Sequence, residues 1–163
     1  MQPKQIFDLN NPKCPKAETN VPAFVEALFE DYIVRRSIKR VGEFIDTKSE
    51  KPDTRIELYT LFSKRLMQEG GFKHCNDLLV EALAKYQNNE RLFKEMGKLK
   101  YLSNKYEEAL EYYEKALKIS KTDKKELTYN ISVNLMHSGK FIEAIDKFKY
   151  TNKKGGNCNG FQK

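Results

Sequence analysis

Phe72, Tyr106 and Phe141 stand 34 and 35 residues apart, and the residues around them recur at the same spacing. Three places after each comes a small residue, namely Cys75, Ala109 and Ala144, and four further on a large apolar one, Leu79, Tyr113 and Phe148. Two places before stand Gly70, Asn104 and Gly139, types that tolerate the left-handed backbone of a tight helix–helix turn. Upstream, Tyr59, Phe62 and Leu66 answer to Phe93, Met96 and Lys100, then to Thr128, Ile131 and Leu135. A period of this length predicts helical hairpins. One hairpin cannot bury its apolar face alone and must pack on a neighbour.

The middle copy, residues 90–120, shows the design most fully. Leu92, Phe93, Met96, Leu99 and Leu102 recur at helical steps, then Tyr106, Ala109, Leu110, Tyr113, Ala116 and Leu117 do the same after a turn at Ser103-Asn104-Lys105. Gly97 sits mid-helix, where glycine costs roughly 1 kcal/mol against alanine. Such a cost requires a packing reason, and small Ala109 and Ala116 on the returning helix are the expected complement.

The run Gly97, Tyr106, Ala109, Tyr113, Ala116 resembles the tetratricopeptide repeat (TPR) family. Three consecutive repeats are expected at 56–89, 90–124 and 125–153. The first and third carry Ser63 and Ser132 where the family's packing glycine is usual, and Thr151 stands where Ala82 and Ala116 stand earlier. The resemblance implies an all-α, right-handed α-solenoid of about three TPR-like hairpins, preceded by an N-terminal helix or helical hairpin, about seven helices in all.

That N-terminal region spans residues 21–50. Asn20 is a fair N-cap and Pro22 falls in the first turn, where proline is tolerated. Val25, Leu28, Phe29, Tyr32 and Ile33 make an apolar face, continued by Val41, Phe44 and Ile45. Either one long helix or two short ones with a turn near Ser37 fit this spacing. The second arrangement resembles the lissencephaly-homology (LisH) motif through Leu28, Tyr32-Ile33, Val41 and Ile45, which implies a possible homodimer through residues 21–50. Residues 1–20 read as an extended arm, KSEKPDT at 48–54 as a linker in which Asp53 or Thr54 caps the next helix, and residues 154–163 as a disordered tail.

Composition narrows the function classes. No apolar run reaches the length of a membrane span, and the N-terminus has neither an apolar core nor a cleavage site of secretory type. Three cysteines, Cys14, Cys75 and Cys158, are odd in number and far apart, which fits a reducing compartment; the cytoplasm is expected, within a cytoskeletal, ciliary or other large assembly. The net charge of +7 arises mostly from residues 125–163, with seven basic against three acidic groups, while the helices interleave both signs.

Catalytic constellations are missing from the sequence. His74 and His137 have no metal-ligand spacing, and Gly70-Gly71 and Gly155-Gly156 lack the context of a phosphate loop. His74 and Cys75, as adjacent helical residues, point to different faces. No enzyme activity, cofactor or metal is expected. The TPR resemblance implies instead a groove lined by each first helix. Carried onto this chain, its residues are Lys64 in the first repeat; Arg91, Lys94, Lys98 and Tyr101 in the second; and Tyr129, Asn130, Val133, Met136 and His137 in the third. Only Lys94 and Asn130 coincide with the set that clamps a C-terminal carboxylate in TPR co-chaperones, so that clamp is not expected. The expected function is a non-enzymatic adaptor or scaffold subunit binding an acidic or helical protein segment. The alternative is an RNA-associated structural subunit of a ribosome-like particle, because residues 61–83 resemble the helical hairpin of the ribosomal protein S-seven family through Phe62, Leu66-Met67, Gly70, Ala82 and Leu83.

Overall fold

The computed structural model describes residues 16–153; the arm over residues 1–15, the tail over 154–163, Cys14 and Cys158 lie outside the described residues. Eight helices run along this span: α1 (Val21–Arg35), α2 (Ile38–Lys48), α3 (Pro52–Gln68), α4 (Phe72–Lys85), α5 (Glu90–Leu102), α6 (Tyr106–Ile119), α7 (Lys124–His137) and α8 (Phe141–Lys153). There is one helix more than the expected seven, because the N-terminal region is a hairpin. None is long and apolar enough to cross a membrane. Two compact units divide the chain, residues 1–87 and 88–163.

The turns between helices are built alike. Gly70, Asn104 and Gly139 all adopt positive φ, at 73°, 58° and 77°. The amide after each donates to a carbonyl of the preceding helix: Gly71 to Leu66, Lys105 to Lys100 and Lys140 to Leu135, at 2.8, 2.9 and 2.9 Å. These are the C-terminal carbonyls a helix cannot satisfy by itself.

In the first unit, α1 packs on α3 and α2 on both α3 and α4. Asn20 caps α1, accepting from the Ala23 amide at 3.2 Å. Arg36 then breaks the helix in the left-handed region, at φ 53°, and Ser37 caps α2. The buried carboxylate of Asp31 holds the turn together by accepting from Arg35 at 2.9 Å and from Arg40 at 3.0 Å. Phe29, Tyr32 and Phe62 form a triangle of rings with centroids 5.7–5.8 Å apart. Ile33, expected on the apolar face, is exposed.

Of the residues that carry the LisH resemblance, Leu28, Tyr32, Val41 and Ile45 are buried in this unit and Ile33 is exposed. The apolar surface of those four is already covered by the packing of α1 and α2 on α3 and α4.

The N-terminus of α3 is not capped by Asp53 or Thr54. Glu18 does it from more than thirty residues upstream, accepting from Ser49 Oγ at 2.6 Å, Thr54 Oγ1 at 3.0 Å, and the Glu50 and Lys51 amides at 3.0 and 3.3 Å. The Ser49 bond, with help from the others, lowers its pKa to about 2. On the other side of this unit, Lys85 reaches Asp46, Glu81 and the Tyr59 hydroxyl. Burial opposes its charge, but the hydrogen bonds to Asp46 and Glu81 prevail and its pKa is raised.

The second unit packs α5 on α6, α6 on α7 and α7 on α8. Ala109, Tyr113, Ala116, Leu127, Ile131, Leu135 and Ala144 form its buried cluster, with Phe93, Tyr101, Leu110 and Leu117 packed against it. Leu102 is exposed rather than part of the apolar face. The space left by Gly97 is taken up by Tyr113: a Cβ at residue 97 would lie 3.0 Å from three carbons of the Tyr113 ring. The glycine thus admits a large ring at close range. Burial and the nearby Glu95 carboxylate push the Tyr113 pKa up. In the first hairpin, where Ser63 replaces the glycine, the smaller Leu79 stands at the register of Tyr113.

Candidate protein-interaction site

The expected groove residues divide between the units. Lys64 belongs to α3 in the first unit, where it is half-buried. The other nine lie on α5 and α7 of the second, and side-chain contacts bring these helices together at both ends of a strip.

At one end, Lys94 of α5 forms ion pairs with Asp123 at 3.3 Å and Glu126 of α7 at 2.9 Å. Its side chain is only 23% exposed. Burial works against its charge, yet Glu126 and Asp123 outweigh burial and the pKa is raised. The expected basic stripe of Arg91, Lys94 and Lys98 is therefore interrupted at its centre, because Lys94 is neutralised from within the protein. Arg91 and Lys98 remain exposed on either side.

At the other end the contact is aromatic. The Tyr101 hydroxyl lies 3.1 Å from His137 Nε2, and Tyr106 stacks on the His137 ring at 5.0 Å and 18°. Tyr101 also tilts against Tyr106 at 5.8 Å. Tyr106 belongs to the second helix of its hairpin, so a rule that assigns the groove to first helices misses it. Its place beside His137 depends on how α6 packs on α7.

Between and beside these ends, Asn130 and Val133 are half-buried, and Tyr129 and Met136 are exposed. The Asn130 carbonyl accepts from the Asn134 side chain at 2.8 Å. Tyr129 meets Phe148 edge-on at 5.8 Å. The strip thus offers two cations, apolar surface at Tyr129 and Met136, and polar atoms at Tyr101 and His137, which suits a segment mixing apolar and acidic groups.

Elsewhere the reactive side chains are occupied structurally. His74 Nδ1 hydrogen-bonds the Tyr32 hydroxyl, and the Cys75 thiol is buried with its sulfur 3.5 Å from the Ser63 carbonyl oxygen, which it donates to. Among the described residues no three His, Cys, Asp or Glu side chains gather as a metal set would require.

Comparison with known proteins agrees with this architecture. Residues 91–123 match the tetratricopeptide repeat family model. No curated protein matches the sequence. Among solved structures, MamA matches at a TM-score of 0.56 with 16% identity, covering 90% of this chain and 91% of that one. MamA MSR-1 C2 gives 0.54 and 19% over 82% and 79% of the two chains. A putative kinesin light chain of Podosopora anserina with nearly identical TPR-like repeats gives 0.55 and 15% over 81% and 74%. Likeness at such identity shows the fold, an all-α solenoid of helical hairpins.

Proposed function

We propose that this chain, whose residues 91–123 match the tetratricopeptide repeat model, is a non-enzymatic adaptor or scaffold subunit that holds a protein segment on the α5–α7 strip, within a cytoplasmic multi-protein assembly. The observation that carries this reading is the composition of the strip. Arg91 and Lys98 are exposed cations flanking an internally neutralised Lys94 on α5, and Tyr129 and Met136 are exposed on α7. An acidic segment with one or two apolar anchors meets both features, the cations steering it and the apolar contacts holding it. A homodimer through residues 21–50 fits less well, since Leu28, Tyr32, Val41 and Ile45 would have to leave the first unit's core to make it.

The test is Lys98→Glu, which reverses an exposed charge without touching an ion pair within the protein. Affinity purification with mass spectrometry should recover a stable protein partner with the wild type and lose it with this variant, at unchanged helical content. Lys94→Glu is the poorer probe, because it would place a third carboxylate beside Asp123 and Glu126 and disturb the fold. Tight, steeply salt-dependent RNA binding with no protein partner would favour the ribosome-like alternative and refute the adaptor.

A further inference from the structure

The two ends of the α5–α7 strip differ in chemistry. At the Lys94 end, the loop from α6 to α7 is tied onto the start of α5. Ser120 Oγ donates to Glu90 at 2.9 Å, and Lys94 holds Asp123 and Glu126. Glu90, Asp123 and Glu126 are thus all engaged from within the protein. The cations are not. Lys121, Lys124 and Lys125 are exposed, as Arg91 is, and none of the four has an ion pair among the described residues. Residues 90–94 and 120–126 together carry five basic against three acidic groups, so this end is positive. Lys124 and Lys125 also open α7, where the positive end of the helix dipole disfavours a cation. Asp123 and Glu126, the acids that would offset them, are turned onto Lys94. At the opposite end Tyr101, Tyr106 and His137 gather, and Leu102 and Met136 are exposed beside them in the chain.

We infer that the strip holds its partner segment in one orientation. The segment's acidic residues lie over Arg91, Lys121, Lys124 and Lys125, and its apolar anchor lies against Tyr101, Tyr106 and Met136. This rests on the adaptor reading of the strip and adds to it the order and spacing of the partner's residues. From Glu126 to His137, α7 rises about 16 Å at 1.5 Å per residue. An extended chain covers that distance in about five residues. The partner is therefore an extended protein segment whose acidic run and apolar anchor stand about five residues apart. Lys98, midway along α5, steers the stretch between them. A nucleic acid fits less well, since its phosphates would carry charge onto the aromatic end too.

Fluorescent peptides of a single composition test this by anisotropy against the full chain. In one, a run of aspartates and a Leu-Phe pair are separated by about five serines; in the other, the same residues alternate. The segregated peptide is made in both chain directions. One of the two should bind saturably, about tenfold or more tighter than the alternating peptide. Lys124→Glu with Lys125→Glu should weaken it about tenfold and flatten its salt dependence. That exchange puts acids where the helix dipole favours them, so circular dichroism should show an unchanged helical signal. Lys73→Glu, an exposed reversal in the first unit, should leave binding as it was. A paramagnetic label at the aspartate end should broaden the amide resonances of Lys124 and Lys125, and one at the Phe end those of Tyr101 and His137. The reverse pattern overturns the orientation. So does equal binding of the alternating peptide, or wild-type binding by the Lys124→Glu, Lys125→Glu variant when Lys98→Glu loses it; in these cases the strip still binds an acidic segment. If no peptide binds the wild type, or if Lys98→Glu binds as the wild type does, the adaptor reading falls together with the orientation. A single-stranded RNA that displaces the segregated peptide and is not displaced by it would overturn both.

Discussion

Replacing Gly97 with alanine tests the central contact of the second unit. Two opposed effects decide the outcome. In the interior of α5 the exchange removes backbone freedom from the unfolded chain, worth about 1 kcal/mol in favour of alanine. Against this, the new Cβ would lie 3.0 Å from Cδ1, Cε1 and Cζ of Tyr113, well inside the ordinary carbon–carbon separation of about 3.5–4.0 Å. Tyr113 is buried against Ala116, Leu127 and their neighbours and has little room to retreat. Overpacking of this kind costs about 1–3 kcal/mol. The net expectation is a destabilisation of about 0–2 kcal/mol, which by itself is a weak test. The decisive measurement is a double-mutant cycle with Tyr113→Leu, followed by urea denaturation and circular dichroism. With the ring gone only the helix term survives, and Gly97→Ala should stabilise by up to about 1 kcal/mol. The coupling between the two sites should therefore be about 1–3 kcal/mol. If Gly97→Ala has the same effect in both backgrounds, the ring is not what the glycine accommodates, and the packing account of α5 and α6 is wrong.

Asp31→Asn should destabilise the first unit by about 1–3 kcal/mol in thermal denaturation, because Arg35 and Arg40 lose a buried carboxylate though both stay partly in water. Glu18 predicts a pH dependence. Its folded pKa of about 2 lies below the unfolded value of about 4.3, so its contribution is complete above the latter and is lost as pH falls toward the former. The stability advantage of the wild type over Glu18→Gln should accordingly shrink across that acidic window; an advantage independent of pH would contradict the capping role. Ala109→Lys, which places a charge in the buried cluster, should cost several kcal/mol, while Glu108→Lys should do much less, since Glu108 only bridges Lys100 and Lys105 at the surface. Equal loss of the denaturation midpoint in the two variants would mean that the register of α6 is wrong.

What the chain reveals by itself is what its interactions encode over a few residues. The left-handed positions at Gly70, Asn104 and Gly139 close bonds within five residues, the Asn20 cap reaches three residues ahead, and the buried stripe of α6 follows helical spacing, so each was readable from residue type and interval. The choice between one N-terminal helix and two was left open by periodicity, because Ile33 and Val41 fit either. Arg36 in the left-handed region and Asp31 bridging to Arg40 settle it as a hairpin.

Only the tertiary structure could decide the rest, since it turns on which distant groups meet. Nothing near α3 announces that Glu18 will satisfy its N-terminus. Gly97 signals a close approach but does not say whether a methyl or a ring arrives, and the answer is Tyr113. Arg91, Lys94 and Lys98 look equivalent on a helical wheel; only the arrival of Asp123 and Glu126 from beyond α6 removes one charge and leaves two. Spacing along a helix fixes which face a side chain occupies, while its charge, burial and partners are set by the helix packed opposite.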